Sequence, residues 1–241
     1  MVILNLGCGT KTTPYCVNID WSIFLKVARS RTLSLFSGFF FTGDRLKRLR
    51  QLDKDILVHD LRRGIPSPDA SADAVYHSHV LEHIDRGPAE RFLTEVRRVL
   101  KPDGIHRVVV PDLELLARDY LDGFTDVNLA AANWEAHDSK IAAMIEQMVR
   151  REASGTSHQK PLRRKLENLL LGDARKRAET HQWMYDRVNL CGLLQKCGFR
   201  NASVAPYNES RIPNRDKTGS GVSEDGLSEY KPMSLYVECL K

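Results

Sequence analysis

Residues 76–84 read Tyr-His-Ser-His-Val-Leu-Glu-His-Ile, placing three histidines and a glutamate within seven positions. Histidine titrates near neutral pH and can take a proton from an acceptor, and a carboxylate beside it can orient the ring. His79, Glu82 and His83 are therefore the candidate catalytic residues, with His79 first among them. His77 and His83 read equally well as packing histidines. The same stretch spells H-x-x-E-H, a pattern in which two histidines one helical turn apart hold zinc while the glutamate acts on water. That chemistry needs a long helix, whereas Gly87-Pro88 follow His83 within four residues and no third ligand stands at a telling position. Zinc hydrolysis is kept as a third reading, and no residues are assigned to a metal.

A second set of groups stands at the ends of three apolar runs. Ile3-Leu4-Asn5-Leu6 leads directly into Gly7-Cys8-Gly9, a G-x-G turn in which glycine admits positive φ and close approach of a ligand to the backbone. Asp20 closes the next run, Val17-Asn18-Ile19, where a carboxylate can accept from ribose hydroxyls. Asp60 closes a third, where it can accept from an exocyclic adenine amine or simply cap a turn. A dinucleotide fingerprint would require a third glycine and a helix to present its N-terminus to pyrophosphate. Thr12-Thr13-Pro14 stand there instead, and no helix of useful length fits between Gly9 and Asp20. A nucleoside ligand without phosphates fits this turn better.

The elements that must position these groups alternate. Expected strands are Val2–Leu6, Cys16–Ile19, Ile56–Val58, Asp73–His77, Ile105–Val110, Ala202–Ala205 and Ser234–Cys239. Several are continuously apolar, as in a sheet covered on both faces. Helices are expected over Ala89–Leu100, Asp112–Leu121 and Asn189–Lys196, with a turn at Pro102-Asp103-Gly104. Two stretches break the alternation: helical insertions at about 22–52 and 124–178. Residues 208–231 read as a long loop. At 241 residues and 42% hydrophobic content, one α/β domain with its own core is expected.

Five cysteines without C-x-x-C spacing point to reduced thiols in a soluble, cytoplasmic protein. With a strand beginning at Val2, no signal peptide is expected, and no apolar run approaches the ~20 residues of a membrane-spanning helix. The formal charge of +5 is modest, and basic residues lack an interleaved aromatic platform, which argues against nucleic acid. Leu33–Phe41, flanked by Lys26, Arg29, Arg31 and Arg45, is read as a lid packing its own phenylalanines; peripheral contact with a membrane surface is the alternative.

Taken together, LNLGCG (Leu4–Gly9), VNID (Val17–Asp20), VHDL (Val58–Leu61), DAVYHSHVLEHI (Asp73–Ile84), RVLKPDG (Arg98–Gly104) and VVVPDLE (Val108–Glu114) resemble the class I S-adenosylmethionine methyltransferases, in particular the type 11 subgroup. HQWMYDR (His181–Arg187), CGF (Cys197–Phe199) and KPMSLYVE (Lys231–Glu238) resemble the C-terminal part of one subset. The resemblance implies a Rossmann-like seven-stranded, mostly parallel sheet with its last strand antiparallel and helices on both faces. It implies that Gly7, Cys8 and Gly9 lie against the methionine part of the cofactor and that Asp20 holds its ribose. Asp60 and the Leu61 backbone would contact adenine, while His77, Ser78 and His79 would line the pocket near the sulfonium. Many relatives carry an acid where Asn5 stands; its amide oxygen can still orient an amine. Lys11 and Asp103 replace common glycines.

The expected activity is methyl transfer from S-adenosylmethionine to a small-molecule or glycan-type acceptor, the glycan suggestion resting on the resemblance alone. Trp183, Tyr185 and Asp186 either border the acceptor or belong to the core. A cofactor-binding regulatory or assembly protein without catalysis is the alternative from another class.

Overall fold

A computed structural model describes residues 1–35, 43–53, 55–123, 134–148, 180–213, 229 and 231–241. Seven strands form one sheet in the order β3-β2-β1-β4-β5-β7-β6: β1 (Ile3–Leu6), β2 (Val17–Asp20), β3 (Leu57–Val58), β4 (Ala72–Ser78), β5 (Leu100–Pro111), β6 (Arg200–Val204) and β7 (Ser234–Leu240). β1 to β5 pair in parallel, while β7 runs antiparallel to both β5 and β6. Every expected strand is present. The sequence order reverses between β1 and β4, and at such a switch point flanking loops leave in opposite directions and open a crevice at the carboxyl ends.

Helix α1 (Ile23–Arg29) starts at Ser22, whose hydroxyl caps the Leu25 N–H; α2 (Arg31–Leu35) and α3 (Asp44–Gln51) follow. The insertion at 22–52 is thus helical where described, and most of the Leu33–Phe41 segment lies outside the described residues. Helix α4 (Arg86–Val99) begins three residues before its expected start because Pro88 falls in the first turn, where a missing N–H costs nothing. It buries Ala89, Phe92, Leu93, Val96 and Val99 against Leu4, Leu6, Val75, Val108 and Val110 of the sheet. Helix α5 (Leu113–Asp122) is capped by Asp112, α6 (Trp134–Met148) packs on it, and α7 (Arg187–Lys196) starts from an Asp186–Asn189 capping box. The rest of the 124–178 insertion, 124–133 and 149–178, and most of the 208–231 loop lie outside the described residues.

The Pro102-Asp103-Gly104 turn does not precede β5 as expected; it is a bulge within it. Leu100 pairs with Ala72 and Ile105 with Ala74, so β5 uses five residues where β4 uses two, and Asp103 takes up φ +59°.

The sheet's far side is tied by a buried ion pair. Arg107 on β5 meets Glu238 of β7 at 2.7 Å, both wholly or almost wholly buried, and donates to the carbonyls of Glu209 and Pro206 at 2.7 and 3.1 Å. Among the described residues, no helix is long and apolar enough to cross a membrane.

Candidate active site

The crevice is a cleft of about 300 Å³ lined by residues of the β1 turn (Asn5, Gly7, Cys8, Gly9, Thr10, Lys11), of α1 (Ser22, Phe24) and of β4 (Tyr76, Ser78, His79), with Leu52 and Lys231. Gly7 and Gly9 both sit at positive φ, +67° and +54°. The Gly7 N–H donates to the Ile19 carbonyl at 2.8 Å, folding the turn over β2. A Cβ on Gly7 would come within 2.3 Å of Val80 Cγ2, whereas one on Gly9 would meet nothing within 4 Å. Gly7 is therefore needed for packing against the β4 turn, and Gly9 leaves its backbone open. No helix lies between Gly9 and Asp20, so the turn lacks the helix N-terminus of a pyrophosphate cradle.

Asp20 holds this turn from beneath. Its Oδ2 accepts from the Gly9 N–H at 2.6 Å, and its Oδ1 accepts from the Trp21 and Ser22 N–H groups at 2.5 and 2.7 Å. Burial pushes the carboxyl above its ordinary range, against the pull of these N–H groups. A carboxylate accepts about four hydrogen bonds, so roughly one site remains for a ligand hydroxyl. Asp20 thus builds the cleft without lining it. Asn5 donates its amide hydrogens to the Lys11 carbonyl and Asn18 Oδ1, at 2.9 and 3.0 Å.

Asp60 is engaged differently from the expectation of an open adenine acceptor. It caps the single 3₁₀ turn Leu61–Arg63, and both its oxygens accept from the Arg62 guanidinium at 2.9 Å. Burial opposes ionisation there, but Arg62 overcomes it and the carboxyl sits below its usual range. An arginine two residues on satisfies the carboxylate locally, and neither Asp60 nor Leu61 lines the cleft. Arg62 also stacks on Trp21 at 4.2 Å, with Lys26 4.0 Å from the ring centroid, joining the ends of β2 and β3.

Alternation along β4 separates the three neighbours expected at the sulfonium. Tyr76 and Ser78 face the cleft; His77 points to the opposite face. There it is fully buried, edge-on to Phe92, with its Nε2 2.9 Å from His106 Nε2. Burial lowers its pKa to about 4, so it is a neutral core residue and its side chain is not a pocket group.

His79 follows in the left-handed region, φ +54°, with its N–H on the Val109 carbonyl. That bend brings its ring to the cleft, where Nδ1 lies 3.1 Å from Glu82 Oε1 and Nε2 lies 3.1 Å from Ser234 Oγ. Glu82 is completely buried. Burial favours its neutral form, but the His79 bond and neighbouring imidazoles outweigh it and hold the pKa at about 2. Glu82 and His83 do not line the cleft. His83 sits in the three-residue 3₁₀ turn Leu81–His83, its Nδ1 donating to the Thr180 carbonyl, and it borders a separate cleft with Arg62, Arg91 and Gln182. The zinc-hydrolase reading loses its basis here, because no long helix carries H-x-x-E-H and His79 uses both ring nitrogens.

Segment Thr180–Asp186 lies across this turn, with Gln182 and Trp183 N–H groups on the Glu82 carbonyl. Trp183 is partly exposed under Arg86, Tyr185 is buried in the core, and Asp186 caps α7. Tyr76, Ser22, Phe24, Leu52 and Lys231 are cleft residues not expected from the sequence. Strand alternation from Ser78 points to Tyr76, and the cap position points to Ser22; Lys231 lies 152 residues beyond His79 and carries no local signal.

Residues 38–108 match the family model described as a methyltransferase domain. No curated protein matches the chain. Among solved structures, it is similar to a putative methyltransferase of Haloferax volcanii in complex with the Trm112 activator (13% identity, TM-score 0.43, covering 99% of this chain and 81% of that one). It is also similar to a possible histamine N-methyltransferase from Thermotoga maritima (15%, 0.42, 99% and 81%) and to a SAM-dependent methyltransferase from Methanosarcina mazei (13%, 0.46, 100% and 92%).

The strand order and the parallel pairing of β1 to β5 define a Rossmann-like fold.

Proposed function

We propose that the chain is a class I, S-adenosylmethionine-dependent methyltransferase of the type 11 kind, and that it methylates a small-molecule or glycan-type acceptor held at the mouth of the β1–β4 cleft, beside His79. The observation that carries this reading is the placement of His79, a strained, doubly tethered imidazole on the wall of the cleft that the glycine turn also lines. The glycan alternative comes from sequence resemblance alone. We read the whole chain as one methyltransferase domain.

The residues present suit the donor. Gly7, Cys8 and Gly9 would carry its methionine part. The Asn5 amide hydrogens are both engaged within the protein, which leaves its oxygen to accept from the donor's amine. Asp20 would offer its remaining acceptor site to a ribose hydroxyl. Asp60, the Leu61 backbone and Ser78 would complete the binding set, Asp60 by sharing Arg62; His77 would contribute through its backbone alone. When bound, S-adenosylmethionine supplies a methyl group already activated on sulfonium, so alignment of the acceptor provides much of the acceleration, on the order of 7–11 kcal/mol in favourable cases.

His79 would take the acceptor proton by exchanging Ser234 for the acceptor at Nε2, while Glu82 holds Nδ1. Glu82 is then a positioning residue, reaching the acceptor only through His79. Incubation with methyl-labelled S-adenosylmethionine and a fractionated cell extract tests the reading. Label should appear in a small-molecule or glycan fraction with stoichiometric S-adenosylhomocysteine. Label confined to protein or nucleic acid would refute it.

A further inference from the structure

Behind His79, the β4 turn and the Thr180–Asp186 segment assemble a cluster of which the proposed methyl transfer uses only Glu82, through one of its two oxygens. Glu82, His83 and His181 each offer one ligand atom, and these atoms lie within 4.8 Å of one another. The two parts of the chain are 98 residues apart, so tertiary packing, and no helical repeat, makes the set.

Three observations distinguish it from ordinary packing. Glu82 is completely buried, and while Oε1 meets His79, its Oε2 is buried with no hydrogen-bond partner. A bare carboxylate oxygen in the interior is costly and rare in native structures. His83 donates Nδ1–H to the Thr180 carbonyl at 3.1 Å, which leaves Nε2 as the lone-pair nitrogen, 3.9 Å from Glu82 Oε1. Metal-ligating histidines are oriented by this kind of outer hydrogen bond. His181, 9% exposed, stands edge-on to His83 with ring centroids 4.8 Å apart.

We propose that Glu82, His83 and His181 bind one divalent transition-metal ion of the Zn²⁺ class. Two imidazoles and a carboxylate are the donors such ions take, with the remaining position left to water. Bonds of about 2.0–2.2 Å place tetrahedral ligand atoms roughly 3.3 Å apart, so the set closes by small side-chain rotations. This differs from the H-x-x-E-H zinc pattern, because His79 is excluded and Glu82 is itself a ligand. The ion fastens the Thr180–Asp186 segment to the β4 turn and, through Glu82, fixes His79 at the cleft. The assignment does not rest on the proposed acceptor.

The chelator-treated full chain, dialysed and titrated with Zn²⁺ and with Co²⁺ as a coloured substitute, tests it. Saturation at one equivalent, visible d–d absorption and a raised melting temperature are expected. His181→Ala and His83→Ala should each lower Zn²⁺ affinity tenfold or more and bleach the Co²⁺ bands, while His137→Ala on α6 leaves both unchanged. His181→Cys, which restores a ligand atom, should recover binding even if alanine variants melt early. No binding at one equivalent, or binding indifferent to His181→Ala and His83→Ala, would overturn the site. S-adenosylhomocysteine titrated into the metal-free protein reads the cofactor cleft separately.

Discussion

Replacing Asp20 by asparagine changes one oxygen to an amide and removes the charge while keeping the shape. In the wild type, one carboxylate oxygen accepts from Gly9 and the other from Trp21 and Ser22, all at 2.5–2.7 Å. Whichever way the asparagine amide turns, an NH₂ must face at least one backbone N–H. The smaller loss is the Gly9 bond. A hydrogen bond to a charged group contributes about 1.5–3 kcal/mol, and a stranded donor adds a desolvation penalty of similar size. The glycine turn should therefore lose about 3–6 kcal/mol of local stability. Because the same turn forms the cofactor wall, we expect S-adenosylhomocysteine affinity, measured by calorimetry, to fall 10- to 100-fold, equivalent to about 1.4–2.8 kcal/mol. The melting temperature should fall as well. Unchanged affinity and unchanged melting would show that Asp20 does not hold the turn. Lowered melting with intact affinity would show that the cofactor does not read the turn's geometry.

Gly7→Ala should destabilise the fold and abolish cofactor binding, because a Cβ at 2.3 Å from Val80 Cγ2 adds to about 1–2 kcal/mol of left-handed backbone strain. Adding Val80→Ala should restore part of the melting temperature, since the clash goes and the φ strain stays; no recovery would place the damage elsewhere. Ser234→Ala removes the resting partner of His79 Nε2, a bond of about 1 kcal/mol that the acceptor must displace, so the acceptor KM should fall several-fold with S-adenosylhomocysteine affinity unchanged. A raised KM together with weakened S-adenosylhomocysteine binding would make Ser234 a packing residue. The pH dependence of stability should carry the signature of a buried neutral histidine. His77 falls from 6.5 to about 4 in the folded chain, so the unfolded chain takes up the proton first as pH drops. Its contribution, up to about 3 kcal/mol, is complete above pH 6.5 and lost towards pH 4. Melting curves of His77→Phe should be flatter across that window than those of the wild type, and equal slopes would contradict the buried-neutral assignment.

Strand positions were readable because β1, β4 and β7 are short apolar runs with turn residues at their ends. The G-x-G turn and Asp20 were found for the same reason: their neighbours in space are set by parallel pairing of adjacent runs. Reading failed where a local competitor or strand parity decided. Nothing in Val58–Leu61 alone shows that Arg62 takes up both oxygens of Asp60. The His77–His79 triplet looks uniform in sequence, yet a period of two sends His77 into the core, and only the bend at His79 returns that ring to the cleft. Pro102-Asp103-Gly104 carries every mark of a turn, but the pairing of β5 with β4 on both sides absorbs it as a bulge. Long-range partners such as Ser234 on His79 and His181 beside His83 depend on chain crossings that no short window contains.

The position of β7 between β5 and β6 has a consequence for biogenesis. During synthesis β6 emerges from the ribosome before β7, its partner among the described residues, and β5 waits with one edge open and Arg107 without its counter-ion. Nascent chains halted before residue 234 should thus display an unsealed, apolar sheet margin to chaperones, and acquire protease resistance in one step once β7 slots in.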